Sequence, residues 1–142
     1  SVPYPVLQVF DAPKGDAACI RRQRSNTPLQ ALVLLNETQF PQCAQALATR
    51  LLREGGDSDA SRLNYGFALA TSRQADAEEL SILKEQLNQQ RSRIADGEID
   101  AEKLLGVDAT TFKRLTGGSA TEAAALMLVA RTLLNLDETI SK

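Results

Sequence analysis

Three arginines, Arg21, Arg22 and Arg24, stand just before a predicted helix and are the side chains best suited to bind a ligand. A guanidinium group binds carboxylate, phosphate or sulfate through paired N–H donors. Thr27 is a good N-cap and Pro28 suits the first helical position, so the positive end of a helix dipole follows the cluster. The cluster is therefore a candidate anion site, but the interpretation that we favour is structural. In that interpretation the arginines pair with carboxylates of this chain or of another domain.

Two adjacent carboxylates, Asp137 and Glu138, follow the most apolar segment of the sequence. Paired carboxylates are suited to acid–base chemistry or to holding a metal ion. The segment before them is predicted to be helical, and negative charge at a helix C-terminus is unfavourable unless a cation lies nearby. We therefore interpret both residues as ion-pair candidates, with the arginine cluster as the partner and at least one bidentate pair.

The chain contains no histidine and only two cysteines, Cys19 and Cys43. It therefore lacks histidine triads, histidine metal ligands and the Cys-x-x-Cys-His motif that attaches c-type haem. The two cysteines also lack the spacing of a zinc site. We expect no cofactor and no catalytic residue in this chain. Cys43 is interpreted as a small buried residue of its helix, and a disulfide with Cys19 is the alternative.

The composition is that of a helix-rich globular domain. The chain has 142 residues, of which 43% are hydrophobic and 4% aromatic, and its net charge is −2 with a pI near 5.2. This charge argues against nonspecific binding of nucleic acid. No apolar run reaches the roughly 20 residues that a membrane span needs. The first residues lack the basic and apolar regions of a signal peptide.

The first 26 residues hold three of the five prolines and show no sustained periodicity, which predicts an extended arm over 1–26. Residues 27–142 are predicted to be helical and to form a single domain with the arm. We interpret the chain as a fragment of a larger domain. An apolar surface patch near the arm, and self-association through that patch, are expected for this reason.

Apolar residues spaced by three and four divide the rest of the chain into about five main helices and two short pieces. The predicted helices span about 27–35, 37–54, from the cap at Ser58 or Asp59 to 70, from the cap at Asp76 to Gly97, 101–105, 108–115 and 121–136. No strand pattern is present. The predicted fold is all-α, an irregular bundle of about five main helices with an extended, Pro-containing N-terminal arm.

Three of these helices carry a prediction about packing. The segments 27–35 and 121–136 are apolar on nearly every side and are expected at the centre. Gly66, on the inner face of the third helix, indicates a close helix crossing. The helix after Asp76 has one narrow stripe and is expected at the periphery; Arg91 continues a stripe formed by Leu80, Leu83, Leu87 and Ile94.

The sequence resembles the C-terminal part of the domain of unknown function 1553, the planctomycete-type PSD domain. The residues that carry the resemblance are Phe10–Pro13, Cys19, the long block Arg21–Asn36 and the segment Leu133–Glu138. The resemblance extends from near residue 2 to the end of the chain and is weakest over 96–118.

This resemblance implies a context and no chemistry. Such domains lie at the C-terminal end of large exported proteins of planctomycetes and related bacteria. Many of these proteins carry an N-terminal cytochrome c-like domain, which would hold any haem. The resemblance implies a periplasmic or cell-surface location and partners among the other domains of the same protein. The family has no established activity, so it assigns no catalytic residue.

Three functions are consistent with these observations. The leading one is a non-catalytic helical scaffold or interaction module of a larger exported, cytochrome-linked protein. The second is part of an enzyme or anion-binding site, in which Arg21, Arg22 and Arg24 act with a preceding region. The third is a carbohydrate- or cell-surface-binding module. The scarcity of aromatic residues weighs against the third, because aromatic rings supply the apolar stacking face that sugar binding uses.

Overall fold

The computed structural model describes residues 39–140, apart from the side chains of Gln39 and Leu115. These residues form seven helices and no strand, which confirms the all-α class. The helices are α1 (Gln39–Glu54), α2 (Asp59–Thr71), α3 (Ala77–Ala95), α4 (Ala101–Leu105), α5 (Ala109–Thr116), α6 (Ala120–Leu134) and α7 (Asp137–Ile140). The predicted arm over 1–26 and the predicted helix over 27–35 lie outside the described residues.

Helix α6 is the centre of the described bundle, as its apolar sequence predicts. It contacts each of the other six helices. Ser119 caps its N-terminus by accepting a hydrogen bond from the backbone N–H of Glu122. Four of its buried residues in a row, 123–126, include three alanines, and such short side chains let neighbouring helices approach its backbone closely. Its buried residues are Ala120, Ala123, Ala124, Ala125, Leu126, Met127, Val129, Ala130 and Leu133.

Helix α1 packs its inner face on α6 and α2. Ala44, Ala48 and Leu51 are buried on that face, whereas Cys43 is exposed. The interpretation of Cys43 as a buried residue is therefore wrong. Adjacent residues point about 100° apart around a helix, and the buried stripe centres on Ala44 and Ala48. Cys43 therefore lies outside it, although its spacing from Leu47 fits a helical period. Cys19, the other cysteine, lies outside the described residues.

The predicted close crossing at Gly66 is confirmed. Gly66 is buried in α2, where a Cβ atom would lie 3.0 Å from Cδ2 of Leu51 on α1 and 3.2 Å from Cδ1 of Leu133 on α6. Both leucines are fully buried. The absence of a side chain at this position therefore sets how closely α1, α2 and α6 meet.

Helix α3 lies at the periphery, as its narrow stripe predicts. Asp76 is the N-cap, as predicted, and forms a capping box with Glu79, in which each side chain accepts a hydrogen bond from the other residue's backbone N–H. Leu83 and Leu87 are buried, while Ile82 on the outer face is 58% exposed. Helices α4 and α5 begin at further aspartate caps, Asp100 and Asp108.

The chain leaves α6 earlier than its apolar pattern suggests. The helix was predicted to reach Leu136, but it ends at Leu134 with Asn135 as its C-cap, and α7 begins at Asp137. Leu136 is half-buried against the core and accepts backbone hydrogen bonds from Thr139 and Ile140. Because Leu134 and Leu136 are both apolar, the apolar periodicity continues past the end of the helix and does not reveal it.

Candidate functional site

The predicted site residues fall on both sides of the described boundary. Arg21, Arg22 and Arg24 lie outside the described residues, and so does any ion pair that they form. Asp137 and Glu138 lie in the first turn of α7. The sequence placed them beyond a helix C-terminus, where negative charge is unfavourable. The structure places them at a helix N-terminus, where the dipole favours negative charge.

Glu138 binds an arginine that the sequence analysis did not single out, Arg73 in the connection between α2 and α3. Nε and Nη2 of Arg73 donate to the two carboxylate oxygens of Glu138 at 2.9 and 2.8 Å. On its other side, Nη1 and Nη2 donate to the two oxygens of Glu79 at 2.9 and 2.6 Å. We call these three side chains the Arg73 clamp. It joins the start of α3 to α7 through two bidentate pairs.

The surroundings of the Arg73 clamp favour its charged form. The guanidinium also lies 4.7 Å from the centre of the Phe67 ring, a cation–π distance. Its hydrogen bonds with Glu79 and then Glu138 raise the pKa of Arg73 further above its ordinary value. The hydrogen bond from Arg73, with a second from the backbone of Asp76, lowers the pKa of Glu79 to about 2. Glu79 is therefore ionised throughout the physiological range.

A second arginine, Arg91 on α3, makes the same double contact with different helices. Nε of Arg91 donates to Glu122 Oε2 at 2.9 Å, and Nη2 donates to Glu122 Oε1. Nη1 and Nη2 donate to Asp59 Oδ2 and Oδ1 at 2.6 and 2.8 Å. We call Arg91, Asp59 and Glu122 the Arg91 clamp. It joins the C-terminal half of α3 to the first turns of α2 and α6.

The Arg91 clamp combines ion pairing with helix-end electrostatics. Asp59 and Glu122 both lie in a first helical turn, where carboxylates are stabilised by the dipole. The hydrogen bond with Arg91 lowers the pKa of Asp59, and the hydrogen bonds with Asp59 and then Glu122 raise the pKa of Arg91. The side chain of Ser119 accepts from the backbone N–H of Glu122, while the Glu122 carboxylate binds Arg91 and so does not close a capping box. The sequence carried one signal of this role, since Arg91 continues the apolar stripe of α3.

A groove lies between the C-terminal halves of α3 and α6, with a volume of about 480 Å³. We call it the α3–α6 groove; it is lined by Gln90, Arg93, Leu128, Arg131, Thr132, Asn135 and Leu136. Two of these seven residues are arginines and none is acidic. Beside the groove, Nε2 of Gln86 on α3 donates to Oγ1 of Thr132 on α6 at 2.5 Å, which fixes the two walls to each other.

One polar atom of the groove residues is buried and unpaired. Oδ1 of Asn135 is inaccessible to solvent and has no hydrogen-bond partner. Among the described residues no other buried side-chain oxygen or nitrogen is in this state. A buried unpaired acceptor costs about 1–3 kcal/mol of desolvation, and such a group in a native fold calls for a donor. Sequence reasoning does not reveal this atom, because an asparagine after Leu133 and Leu134 is explained by helix capping alone.

Residues 39–140 lack two further features. No three or more histidine, cysteine, aspartate or glutamate side chains are grouped there in a way that could hold a metal ion. None of the helices in this range combines the length and hydropathy of a membrane crossing.

Comparison with known protein families gives a match that covers the N-terminal part of the chain. The model of the PSD1 family, described as a protein of unknown function (DUF1553), matches residues 1–87. These residues are more than half of the chain and include the Arg21–Asn36 block, α1, α2 and the first part of α3. The match confirms the resemblance inferred from that block. No curated protein and no solved structure matches the chain.

Proposed function

We propose that this chain, which belongs to the PSD1 family of proteins of unknown function (DUF1553), is a non-catalytic helical interaction module of a larger exported protein. The observation that carries the proposal is the pair of arginine clamps. Each clamp uses both edges of one guanidinium to bind two carboxylates from separate elements. The clamps therefore orient the helix ends relative to one another, around the apolar core that holds the bundle together.

The clamps give the bundle the rigidity that an interaction module needs. The Arg91 clamp joins α2, α3 and α6, and the Arg73 clamp joins the α2–α3 connection, α3 and α7. Bidentate pairing fixes the orientation of a guanidinium as well as its distance. A surface that binds without rearrangement loses little conformational entropy on association. Helices fixed in this way present such a surface.

The family resemblance supplies the proposed context. It favours other domains of the same polypeptide as partners and a periplasmic or cell-surface location. Within residues 39–140, Leu69 on α2 is 40% exposed and Ile82 on α3 is 58% exposed, so large apolar side chains reach the surface of two adjacent helices. Apolar side chains of this kind are available for a contact with a neighbouring domain.

The test uses the purified chain and the separately purified region that precedes it in the same polypeptide. Sedimentation velocity should show a one-to-one complex with a dissociation constant near or below about 10 μM, or roughly −7 kcal/mol. Replacement of Arg91 by Gln should weaken this complex, because α2, α3 and α6 lose their shared contact. Arg53→Gln removes an exposed arginine from α1 and is the matched control.

The same variants have a stability readout. Side chains of the Arg91 clamp are 23–37% exposed. We expect Arg91→Gln to cost about 1–2 kcal/mol, between the values below about 1 for exposed pairs and about 3 or more for buried pairs. Absence of any complex would contradict the interaction role. Loss of anion binding on replacing Arg21, Arg22 and Arg24 with glutamine, at unchanged melting temperature, would favour an anion site.

A further inference from the structure

We infer that residues 100–116, which contain α4 and α5, open as one unit while the rest of the described bundle stays folded. We call them the α4–α5 flap. Opening uncovers the part of α6 on which the flap packs, so the fold can expose an apolar surface without unfolding. Three features point to this opening: the flap has few ties to the other helices, an ion pair closes its base, and a glycine stands at each end.

The α4–α5 flap is held to the bundle mainly by apolar packing on α6. Of its described side chains, those of Leu105 and Phe112 are buried. Ala101, Leu104 and Val107 are half-buried against the core. Two buried side chains are a small anchor for a segment of this length, and low local burial is typical of units that open locally.

Polar contacts add little to this packing. Within residues 39–140, one hydrogen bond joins the flap to another helix: Nε2 of Gln45 on α1 donates to the backbone oxygen of Leu105 at 2.9 Å. The ion pairs between described residues all lie outside the flap. The caps Asp100 and Asp108 accept hydrogen bonds from backbone N–H groups of the flap itself. These caps persist when the flap moves as a unit, because both partners move together.

The base of the flap is closed by the Arg91 clamp. Arg91, near the end of α3, pairs with Glu122 in the first turn of α6. Helix α3 ends at Ala95 and α6 begins at Ala120, so this ion pair joins the helices on either side of the flap. The clamp holds α3 against α6 whether or not the flap packs on them. The flap can therefore leave the bundle without separating the two helices that carry it.

A glycine stands at each end of the flap, where the chain turns. Gly97 and Gly117 have φ angles of 77° and 75°, in the left-handed region that other residues adopt with strain. Beyond the adjacent residues, no atom lies within 4 Å of the position that a Cβ atom would take at either glycine. Packing does not restrain these positions. Glycine also loses more conformational freedom on folding than any other residue, and this freedom is regained when the flap opens.

The same features also fit two short helices that fray independently of each other. In that case the two glycines are ordinary helix ends, and α4 and α5 open separately. Native-state hydrogen exchange distinguishes these possibilities, because amides that become exposed in one cooperative opening share one opening free energy.

The experiment is native-state hydrogen exchange of the 142-residue chain, followed for each amide by NMR. We expect the slowest amides of α4 and α5 to exchange at least tenfold faster than those of 123–133 in α6, a difference of about 1.4 kcal/mol. Their exchange should also rise less steeply with urea, because opening the flap exposes less surface than unfolding the whole chain. Equal rates and equal urea slopes in the flap and in α6 would overturn the inference.

Two variants locate the opening. Leu63→Ala removes a fully buried side chain from α2, which packs on α1, α3, α6 and α7. It should speed exchange of the slowest α6 amides at least tenfold and leave the flap amides unchanged, because Leu63 keeps its contacts when only the flap opens. Leu105→Ala should speed exchange in α4 and α5 by the same factor, because both helices open in one step. Ile82→Ala trims an exposed side chain of α3 and should change neither region.

Two results would contradict this assignment. If Leu63→Ala accelerates the flap as much as α6, both belong to one unfolding unit and no separate flap exists. If Leu105→Ala accelerates α4 and leaves α5 unchanged, the two helices fray independently. Should Leu63→Ala fail to fold, Leu63→Val makes the same comparison with a smaller truncation.

Discussion

At the scale of single residues, arginine does in this chain what lysine could not. Arg73 and Arg91 each use the planar fork on both sides, so one cation satisfies two carboxylates that would otherwise repel each other. The pairs Glu79–Glu138 and Asp59–Glu122 come from different elements. Each arginine therefore helps to fix the positions of the two elements that carry its carboxylates relative to the segment that carries the arginine.

The Arg73 clamp makes the free energy of unfolding depend on pH. The lowered pKa of Glu79 fixes the direction of this dependence. The pKa of Glu79 is about 2 in the folded chain and near 4.5 when unperturbed. A lowered carboxylate pKa contributes stability that is complete above the unfolded value and is lost as the pH falls through the folded value. The contribution of Glu79 should therefore decline from about pH 4.5 and vanish below about pH 2.

Glu79→Gln isolates this effect, because glutamine keeps the capping-box contact with the Asp76 backbone and removes the charge. We expect its melting temperature, followed by circular dichroism, to fall below that of wild type at pH 7 and to match wild type at pH 2. Glu78→Gln removes a neighbouring exposed carboxylate from the same helical turn and is the control. A Glu79→Gln deficit that stays constant from pH 7 to pH 2 would contradict the assignment.

At the scale of elements, local signals predicted the helices well. The cap at Asp76 and the short helix over 101–105 both follow from residues within one turn of each other. Helix caps and helix spans depend on neighbouring residues, so a single sequence is enough to predict them. The ion pairs of Arg73 and Arg91 join residues more than 30 positions apart, except for the pair of Arg73 with Glu79. No local pattern encodes which distant carboxylate an arginine reaches.

The crossing at Gly66 yields a prediction at this scale. Alanine in a helix interior gains about 1 kcal/mol over glycine in propensity, while overpacking a core costs about 1–3 kcal/mol. The new Cβ would lie 3.0 Å and 3.2 Å from Cδ atoms of the fully buried Leu51 and Leu133. We therefore expect the cost of overpacking to exceed the gain in helix propensity. Gly66→Ala should lower the free energy of unfolding by up to about 2 kcal/mol in urea titrations.

A double-mutant cycle identifies the cause. Leu51→Ala alone should cost about 2–5 kcal/mol through the cavity that it leaves. In the double variant the alanine at 66 faces that cavity, so the combined loss should be smaller than the sum. Strict additivity would show that Gly66 and Leu51 do not compete for the same space.

At the scale of the whole molecule, the described bundle depends on one helix. The apolar sequence of α6 predicted its central position, because a helix without a polar face has nowhere else to lie. The groove beside it could not be predicted in the same way. Its lining comes from two helices and a connection, and the burial of Asn135 Oδ1 depends on how they pack.

This dependence predicts a sharp contrast between two apolar residues. Leu126→Ala should destabilise the fold by about 2–5 kcal/mol, because Leu126 is fully buried in α6. Ile82→Ala should stay within about 0.5 kcal/mol, because Ile82 is 58% exposed on α3. Both variants should unfold in a single transition in urea, monitored by circular dichroism. A separate early transition in Leu126→Ala would show that part of the bundle folds without α6.

The central place of α6 has a consequence for how the chain is made. Ribosomes synthesise α1 to α5 before α6, so the inner faces of five helices leave the exit tunnel ahead of the surface that covers them. Until residues 120–134 emerge, Leu51, Leu63 and Leu87 lack a main packing partner. The bundle therefore completes its fold late in translation, and nascent chains halted before residue 120 should be captured by chaperones that bind exposed apolar segments.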